Sequence, residues 1–285
     1  MNAYENVPNL KSILNITNSV DDVVLRLMLE YASRQIDTLC DRVFYLFSGK
    51  KYFPKEYPDF NRSLLLGEDL LVCESLKTDT DDDGSFDDET WLVDQDYYLY
   101  PYETNIFPKS EIHIPSNGRY SFPRKRRSIE ITGLWGYGDG KTSLPFKLIP
   151  SATVTLSNST IVSGTCSNDA VFAGDTYSIG LQDSESIYIL TTTGNPVTAF
   201  TCIRGIGGTT SAAWTDATVL KVLFPDLIKS ICLDLATNAF TTRRSKGLSS
   251  RRIGDYFEQI SSSYLKSIDN LLTDFKRTKL GYVRS

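Results

Sequence analysis

Histidine is nearly missing from this chain, with His113 the single one among 285 residues. One imidazole cannot supply a His-based zinc set. The run Glu111-Ile112-His113-Ile114 holds no Ser/His/Asp or Cys/His pairing, so His113 reads as a structural or surface residue. Cysteine is sparse too. Cys40, Cys73, Cys166, Cys202 and Cys232 are odd in number and include no CxxC pair, which indicates neither a zinc site nor a disulfide framework. They read as reduced, mostly buried thiols of a protein made in a cytoplasm. No stretch reaches the roughly 18 apolar residues of a membrane span. The start, Met1-Asn2-Ala3-Tyr4-Glu5-Asn6, lacks the basic residues and apolar run of a signal peptide, so no membrane partner is expected. Positive charge is not in excess: a formal net charge of -5 argues against non-specific coating of nucleic acid. Low-complexity linkers and internal repeats are absent.

Aromatic residues are abundant at 12%, led by 16 Tyr and 14 Phe. Tyrosine joins a large apolar body to a polar tip, which suits protein interfaces, and filling of β-strands accounts equally for the excess. Serine and threonine are concentrated. They make up 23 of the 71 residues in 151–221, where the only basic residues are Arg204 and Lys221. That composition suits short strands with polar outer faces and leaves little for charge-driven chemistry. Residues 152–156, 175–181, 186–190, 199–203 and 218–223 read as the strands, separated by Gly, Asn, Asp and Pro turns.

Either side of this block the pattern changes. After an irregular start, Asn18 or Ser19 can cap a helix of about six turns with Asp21 and Asp22 in its first turn. Its apolar stripe is Val24, Met28, Ala32, Ile36 and Leu39, and it ends near Arg42. Two short apolar runs, 62–67 and 70–76, precede an acidic hairpin tip over 79–89, and 128–133 alternates as a strand. Pro225 opens a second helix with the stripe Leu227, Ile228, Ile231, Leu235 and Phe240. A basic turn with Arg243, Arg244, Arg251 and Arg252 follows. Ser262 or Ser263 then caps a last helix carrying Tyr264, Ile268, Leu271 and Phe275. The expected fold class is α+β, a helical scaffold with a β-hairpin and small sheet, plus an inserted all-β, barrel-like domain. Residues 1–150 and 222–285 form the scaffold and 151–221 the insert.

The acidic tip is the sharpest chemical signal. Asp79, Asp81 and Asp83 alternate, Gly84 stands sixth and Asp87 ninth, which matches the first part of a calcium loop. Thr90 holds the twelfth position in place of a bidentate glutamate, and Glu89 falls one residue early. Two readings stay open: a hairpin tip of solvated acids, or a weak calcium site. In the second, Asp79, Asp81, Asp83 and Asp87 give side-chain oxygens and Ser85 a backbone carbonyl. No other cofactor is expected. The run Gly136-Tyr137-Gly138-Asp139-Gly140-Lys141-Thr142 has Trp135 where a phosphate loop needs its first glycine, and Pro145 and Pro150 oppose the helix that must follow. Arg204-Gly205-Ile206-Gly207-Gly208-Thr209 reads as a turn between strands. Arg124-Lys125-Arg126-Arg127 is either a contact for DNA phosphate or an acidic partner, or a solvated loop. Carboxylates cluster in one run and do not flank a bond, so no catalytic residue is assigned and the chain reads as a non-enzyme.

Several stretches resemble the head-to-tail connector (adaptor) proteins of HK97-type tailed bacteriophages. They are Ala32-Ser33-Arg34-Gln35-Ile36-Asp37 with Cys40-Asp41-Arg42-Val43-Phe44, the acidic Asp-Gly hairpin, and Asp96-Tyr97-Tyr98-Leu99-Tyr100-Pro101. Gly133-Leu134-Trp135-Gly136-Tyr137, and the Pro225 helix with Ala236 and Arg243-Arg244, complete the order. The resemblance covers 1–147 and 222–285. The insert is similar to a small β module of phage virion proteins through Gly174-Asp175-Thr176-Tyr177-Ser178-Ile179-Gly180 and Cys202-Ile203-Arg204-Gly205-Ile206-Gly207-Gly208-Thr209. Trp214 is the nearest bulky residue where that module often has a histidine. The resemblance implies a virion neck protein made in the bacterial host cytoplasm, forming a ring, commonly of twelve. Its partners would be the portal protein on one face and a stopper, tail-tube or tail-terminator protein on the other. Residues 265–285 would be the portal-facing arm, with Lys276, Arg277, Lys279 and Arg284 able to meet acidic groups. Twelve copies at -5 each would carry a formal charge near -60, so genomic DNA is expected to slide through a lumen without strong basic rings and without sequence-specific binding. The alternative is a calcium-dependent surface- or carbohydrate-binding protein.

Overall fold

Asn6 begins the first helix by accepting from the Asn9 amide at 3.0 Å, with Pro8 in the first turn, so α1 (Val7–Leu14) occupies what the sequence presents as an irregular start. The computed structural model describes residues 2–54, 62–87, 89–123, 125–167, 169–180, 185–245, 264 and 266–277. Helix α2 (Asp22–Cys40) starts later than its expected caps. Asn18 instead closes a turn onto the Val20 amide at 3.2 Å, and Asp21 holds the cap position. Its buried line is Leu25, Leu29, Ala32, Ser33, Ile36 and Cys40. Helix α3 (Asp226–Ser245) packs against it through Ile228, Ile231, Cys232, Leu235, Ala236 and Phe240. Leu227 points to solvent and drops out of the expected stripe. The same correction holds in the last helical segment, 266–271, where Ile268 and then Leu272 face the core while Leu271 is exposed. The buried face runs through Ile268 and Leu272, and Leu271, one residue earlier, stands at its edge and is exposed. The expected caps Ser262 and Ser263, the arginines 251 and 252, and residues 279 and 284 lie outside the described residues.

An antiparallel sheet follows, built from β1 (Phe47–Phe53), β2 (Ser63–Thr78), β3 (Glu89–Trp91), β4 (Tyr98–Tyr100), β5 (Lys109–His113) and β6 (Ile129–Trp135). Its order is β1-β6-β2-β5-β4, with β3 on the far end of β2. The two apolar runs expected as separate pieces form one strand, β2. Its pairing with β5 shifts between Leu65 and Leu70, where Gly67 turns at φ 61; β2 pairs with β5 over 63–65 and again at Leu70, and with β6 from Leu70 to Thr78. Between the sheet's inner side chains, Trp91 stacks on Tyr120 and Phe122, each at 5.1 Å, beside Leu64, Leu76, Ile112, Ile131 and Trp135.

The remaining strands are β7 (Phe146–Leu156), β8 (Ser163–Cys166), β9 (Thr176–Ile179), β10 (Glu185–Gly194), β11 (Val197–Ile203) and β12 (Trp214–Val222). They close into a six-stranded barrel in the order β10-β11-β8-β7-β12-β9, which leaves no free edge. Val154, Leu156, Tyr177, Ile179, Ile187, Ile189, Phe200 and Val219 fill it. Strand β8, Ser-Gly-Thr-Cys, has a single apolar side chain, Cys166, and no alternation to mark it. Gly164 is there because a Cβ would come within 2.7 Å of the Phe200 ring and the Thr155 carbonyl. The chain is therefore a mixed α and β protein with a closed barrel. One core joins α1, α2 and α3 to Ala173, Tyr188 and Val222 of the barrel region.

Candidate functional site

The two glycine-bearing segments of the barrel are where it meets the rest of the chain. Gly174 turns at φ 92 against Glu5, Asn6 and Val7, and the Val7 amide donates to the Ala173 carbonyl at 2.9 Å. Asp175 beside it is buried and collects three donors: Asn6 Nδ2 at 3.1 Å, Tyr177 OH at 3.0 Å and Lys221 Nζ at 2.8 Å. At the other segment, a Cβ on Gly207 would lie 2.5 Å from the Leu46 carbonyl oxygen, and one on Gly208 would overlap that of Ser48. Only glycine lets this turn lie on the backbone of β1. Arg204 fixes the turn from inside. Its guanidinium forks onto Glu185, Nε to Oε1 at 2.8 Å and Nη2 to Oε2 at 2.6 Å, with both side chains buried. Glu185 Oε2 also accepts from the Ala212 amide at 3.0 Å and Trp214 Nε1 at 2.7 Å. Burial alone would raise this carboxyl; the donations from Arg204, Ala212 and Trp214 outweigh it and hold it below the ordinary carboxylate range. The pair is fully satisfied, and its work is positional.

At the hairpin tip, one oxygen each from Asp79, Asp81 and Asp83 lie within 4.8 Å of one another, a set that can hold a cation. Carboxylate oxygens of all three already serve the loop. Asp79 Oδ1 accepts from the Asp82 amide at 2.6 Å and Oδ2 from the Gly84 amide at 3.0 Å. Asp81 accepts from the Asp83 amide at 3.2 Å, and Asp83 from the Ser85 amide at 2.7 Å. Ser85 and Asp87 are drawn to each other, Oγ donating to Oδ1 at 2.6 Å, and Asp87 is not in the triad. Glu89 accepts from Thr78 Oγ1 at 2.9 Å and Trp91 Nε1 at 3.2 Å, so it belongs to the hairpin's flank. The basic run folds back on this tip. Lys125 Nζ donates to the Thr80 carbonyl at 2.9 Å, and the Arg127 guanidinium lies 4.2 Å from the centre of the Tyr52 ring, which packs on Phe86. Arg124 is outside the described residues.

His113 is a linked, half-buried residue. Its Nε2 meets Glu111 at 2.9 Å, its Nδ1 meets Tyr102 OH at 2.6 Å, and its ring stacks on Tyr100 at 5.4 Å. An open groove of about 690 Å³ beside it is lined by Arg62, Tyr98, Tyr102 and Pro115. A smaller groove gathers Arg42, Asp69 and Arg277, in which the buried Asp69 carboxylate is met by Arg42 Nε at 2.9 Å and Arg277 Nη2 at 3.4 Å. Lys51 nearby is pushed down to about 8, first by burial and then by the Arg277 charge. The Arg277 amide also donates to the Cys40 carbonyl at 2.9 Å, which fastens the C-terminal segment to the end of α2. In the phosphate-loop-like run, Asp139 accepts from the Lys141 and Thr142 amides at 2.9 and 3.0 Å, and a strand follows in place of a helix.

Large apolar groups also stand outside. Val23, Leu27 and Tyr31 occupy the outermost line of α2, and Leu92, Val93, Tyr98, Tyr100, Tyr102 and Ile106 crowd the β4 edge. Composition showed the tyrosine excess, and the structure divides it between filling and surface. Tyr4, Tyr97, Tyr177 and Tyr188 are buried, while Tyr31, Tyr98, Tyr100 and Tyr102 are exposed. No family model matches this chain, and neither a curated protein nor a solved structure does.

Proposed function

We propose that this chain is a non-enzymatic subunit of a phage neck ring, a head-tail connector (adaptor) of the virion that joins the portal vertex to a stopper, tail-tube or tail-terminator protein while DNA passes through. In this reading residues 1–150 and 222–285 are the helical scaffold and 151–221 the inserted module. The observation that carries it is the outer line of α2, where Val23, Leu27 and Tyr31 are each about half exposed or more at four-residue spacing. A solvated helix turns charge outward, and an apolar line there is a surface made to be covered. The sequence resemblance names the assembly, and the anchored barrel supports a rigid part that works by shape. Electron microscopy of the purified protein mixed with portal-bearing capsids tests it. The expected image is an added annulus below the portal; particles that never gain density, at any protein concentration, refute it.

A second reading, calcium-dependent binding of a surface or carbohydrate, is favoured by the triad Asp79, Asp81 and Asp83. Calorimetric titration with calcium tests it. Heat lost in Asp81→Asn supports the site, and no heat at millimolar metal ends it.

A further inference from the structure

We infer that residues 2–14 act as a built-in ligand. They fill a peptide-binding slot between α2, α3 and the barrel, and they leave it as a unit while the rest of the chain stays folded. The inference does not depend on the ring reading.

Among the described residues the segment pairs with no strand, so side chains make most of its hold. Ala3 and Tyr4 are buried in the core shared with the helices, and Val7 and Leu10, one helical turn apart, follow them into it. Amphipathic helices occupy grooves through an apolar line of this kind. Tyr4 is the central anchor. Its ring lies 4.9 Å from that of Phe224 and 5.6 Å from that of Phe44. Its hydroxyl donates to Asp37 and accepts from the Phe44 amide at 3.1 Å and Arg34 Nη2 at 3.2 Å. The Tyr4 amide donates to Ser33 Oγ at 3.0 Å. Toward the barrel, the Val7 amide meets the Ala173 carbonyl, Asn6 Nδ2 meets Asp175, and Thr176 Oγ1 donates to Asn2 Oδ1 at 3.3 Å.

The charged groups at this contact find partners on their own side of it. Within the segment, Glu5 accepts from the Asn6 amide and Asn9 Nδ2, both at 2.9 Å, and Asn6 Oδ1 accepts from the Asn9 amide at 3.0 Å. Opposite, Asp37 is paired with Arg34 and Asp175 with Lys221, each at 2.8 Å, and Ser33 Oγ donates to the Leu29 carbonyl at 2.8 Å. Among the described residues one ion pair crosses, Lys11 with Asp22. It is partly exposed beside the connecting turn, where water replaces either partner. Departure therefore leaves no buried charge unpaired, which is the cost that locks most buried ionic contacts in place. The remainder keeps its own supports: the sheet and the barrel have separate cores, and α2 packs directly on α3. The joint is loose as well. Asn15 ends α1 at φ 54, and Asn15, Thr17, Asn18, Ser19 and Val20 are exposed.

Native-state hydrogen exchange on the full chain tests this. The amides of Tyr4, Val7 and Phe44, bonded across the contact, are expected to open together, more often than the amides of α2 and with a smaller urea dependence. Tyr4→Phe keeps the ring and removes the hydroxyl's bonds. It should raise the opening of Val7 roughly tenfold, as loss of a hydrogen bond to a charged group does, and leave α2 unchanged. A protease site placed over residues 17–19 gives the direct assay. After cleavage the fragment is expected to stay bound and to be displaced by excess labelled peptide of residues 1–14. The same peptide carrying Tyr4→Ala should bind roughly thirtyfold more weakly, as loss of a central anchor requires. Exchange of the three amides only by global unfolding, a cleaved protein that takes up no peptide, or a remainder that unfolds when the fragment is displaced would each overturn the inference. All three results leave the ring reading untouched.

Discussion

Replacing Gly208 by alanine isolates the contact that seats the barrel on β1. Gly208 has φ 82, and a Cβ there would overlap the Ser48 carbonyl oxygen. Gly84 offers a matched control, with φ 86 and nothing within 4 Å of its would-be Cβ. Both substitutions force a left-handed conformation on an L-residue, at about 1–2 kcal/mol each. Only Gly208→Ala must also push two backbones apart, and overpacking of that kind costs about 1–3 kcal/mol. The expected gap in unfolding free energy is therefore about 1–3 kcal/mol, read from urea midpoints at unchanged slope. Hydrogen exchange should place the loss. Amides of β1 around Ser48 are expected to exchange faster in Gly208→Ala and to keep wild-type rates in Gly84→Ala. Equal losses in the two variants, with β1 protection unaltered in both, would refute a close seam at Ser48.

Glu185→Gln should destabilise the barrel by about 3–5 kcal/mol, because it leaves the Arg204 guanidinium buried without its counter-charge. The double variant Glu185→Leu with Arg204→Met should recover much of that loss, followed by the fluorescence of Trp214, which loses its carboxylate partner. The native Glu185 carboxyl is held low, so its contribution is present above the unfolded value and disappears as acid passes down through the folded one. Asp37 carries the opposite sign. Burial, opposed by Arg34 and a hydrogen bond from Tyr4, raises it from 3.8 to about 6. Between those values the folded chain binds the extra proton, so this group's share of stability falls as pH rises from about 4 to about 6. Asp37→Asn should flatten that slope in melts across the interval, and an unchanged slope would remove Asp37 as its source.

What was legible in the sequence followed from periodicity. The stripes of α2 and α3, the hairpin around the acidic tip and five barrel strands all have apolar side chains at the spacing their structure demands. Helix α1 was hidden by its eight residues, and β8 by having Cys166 as its one apolar side chain. The one-residue errors at Leu227 and Leu271 are failures of phase: a stripe fixes the face only once the packing partner is known. At the acidic tip, spacing gave the triad and could not show that Ser85 would take Asp87 for its own hydrogen bond. The glycine segments were visible as turns, while their purpose depends on Leu46, Ser48 and residues 5–7, more than 150 positions away in sequence.

The manner in which the barrel joins the chain bears on how it can act. Its first and last strands are neighbours: Phe146 pairs with Val222, and the Leu223 amide donates to the Pro145 carbonyl at 2.8 Å, so the chain enters and leaves side by side. Such an entry adds little closure entropy to the fold around it. Left with that connection alone, a barrel would swing. Here Gly174 and Asp175 hold one part to the N-terminal residues, Gly207 and Gly208 hold another to β1, and Tyr188 of β10 reaches into the core shared by the helices. The Tyr188 hydroxyl lies near Glu30 and Arg26, the pair flanking the exposed line of α2, and its acidity is suppressed by burial first and by Glu30 second. A load on the barrel is therefore delivered to α2, whose outer line of Val23, Leu27 and Tyr31 is exposed. With the chain connection alone the barrel could turn; these three anchors fix its orientation on the helices and on β1.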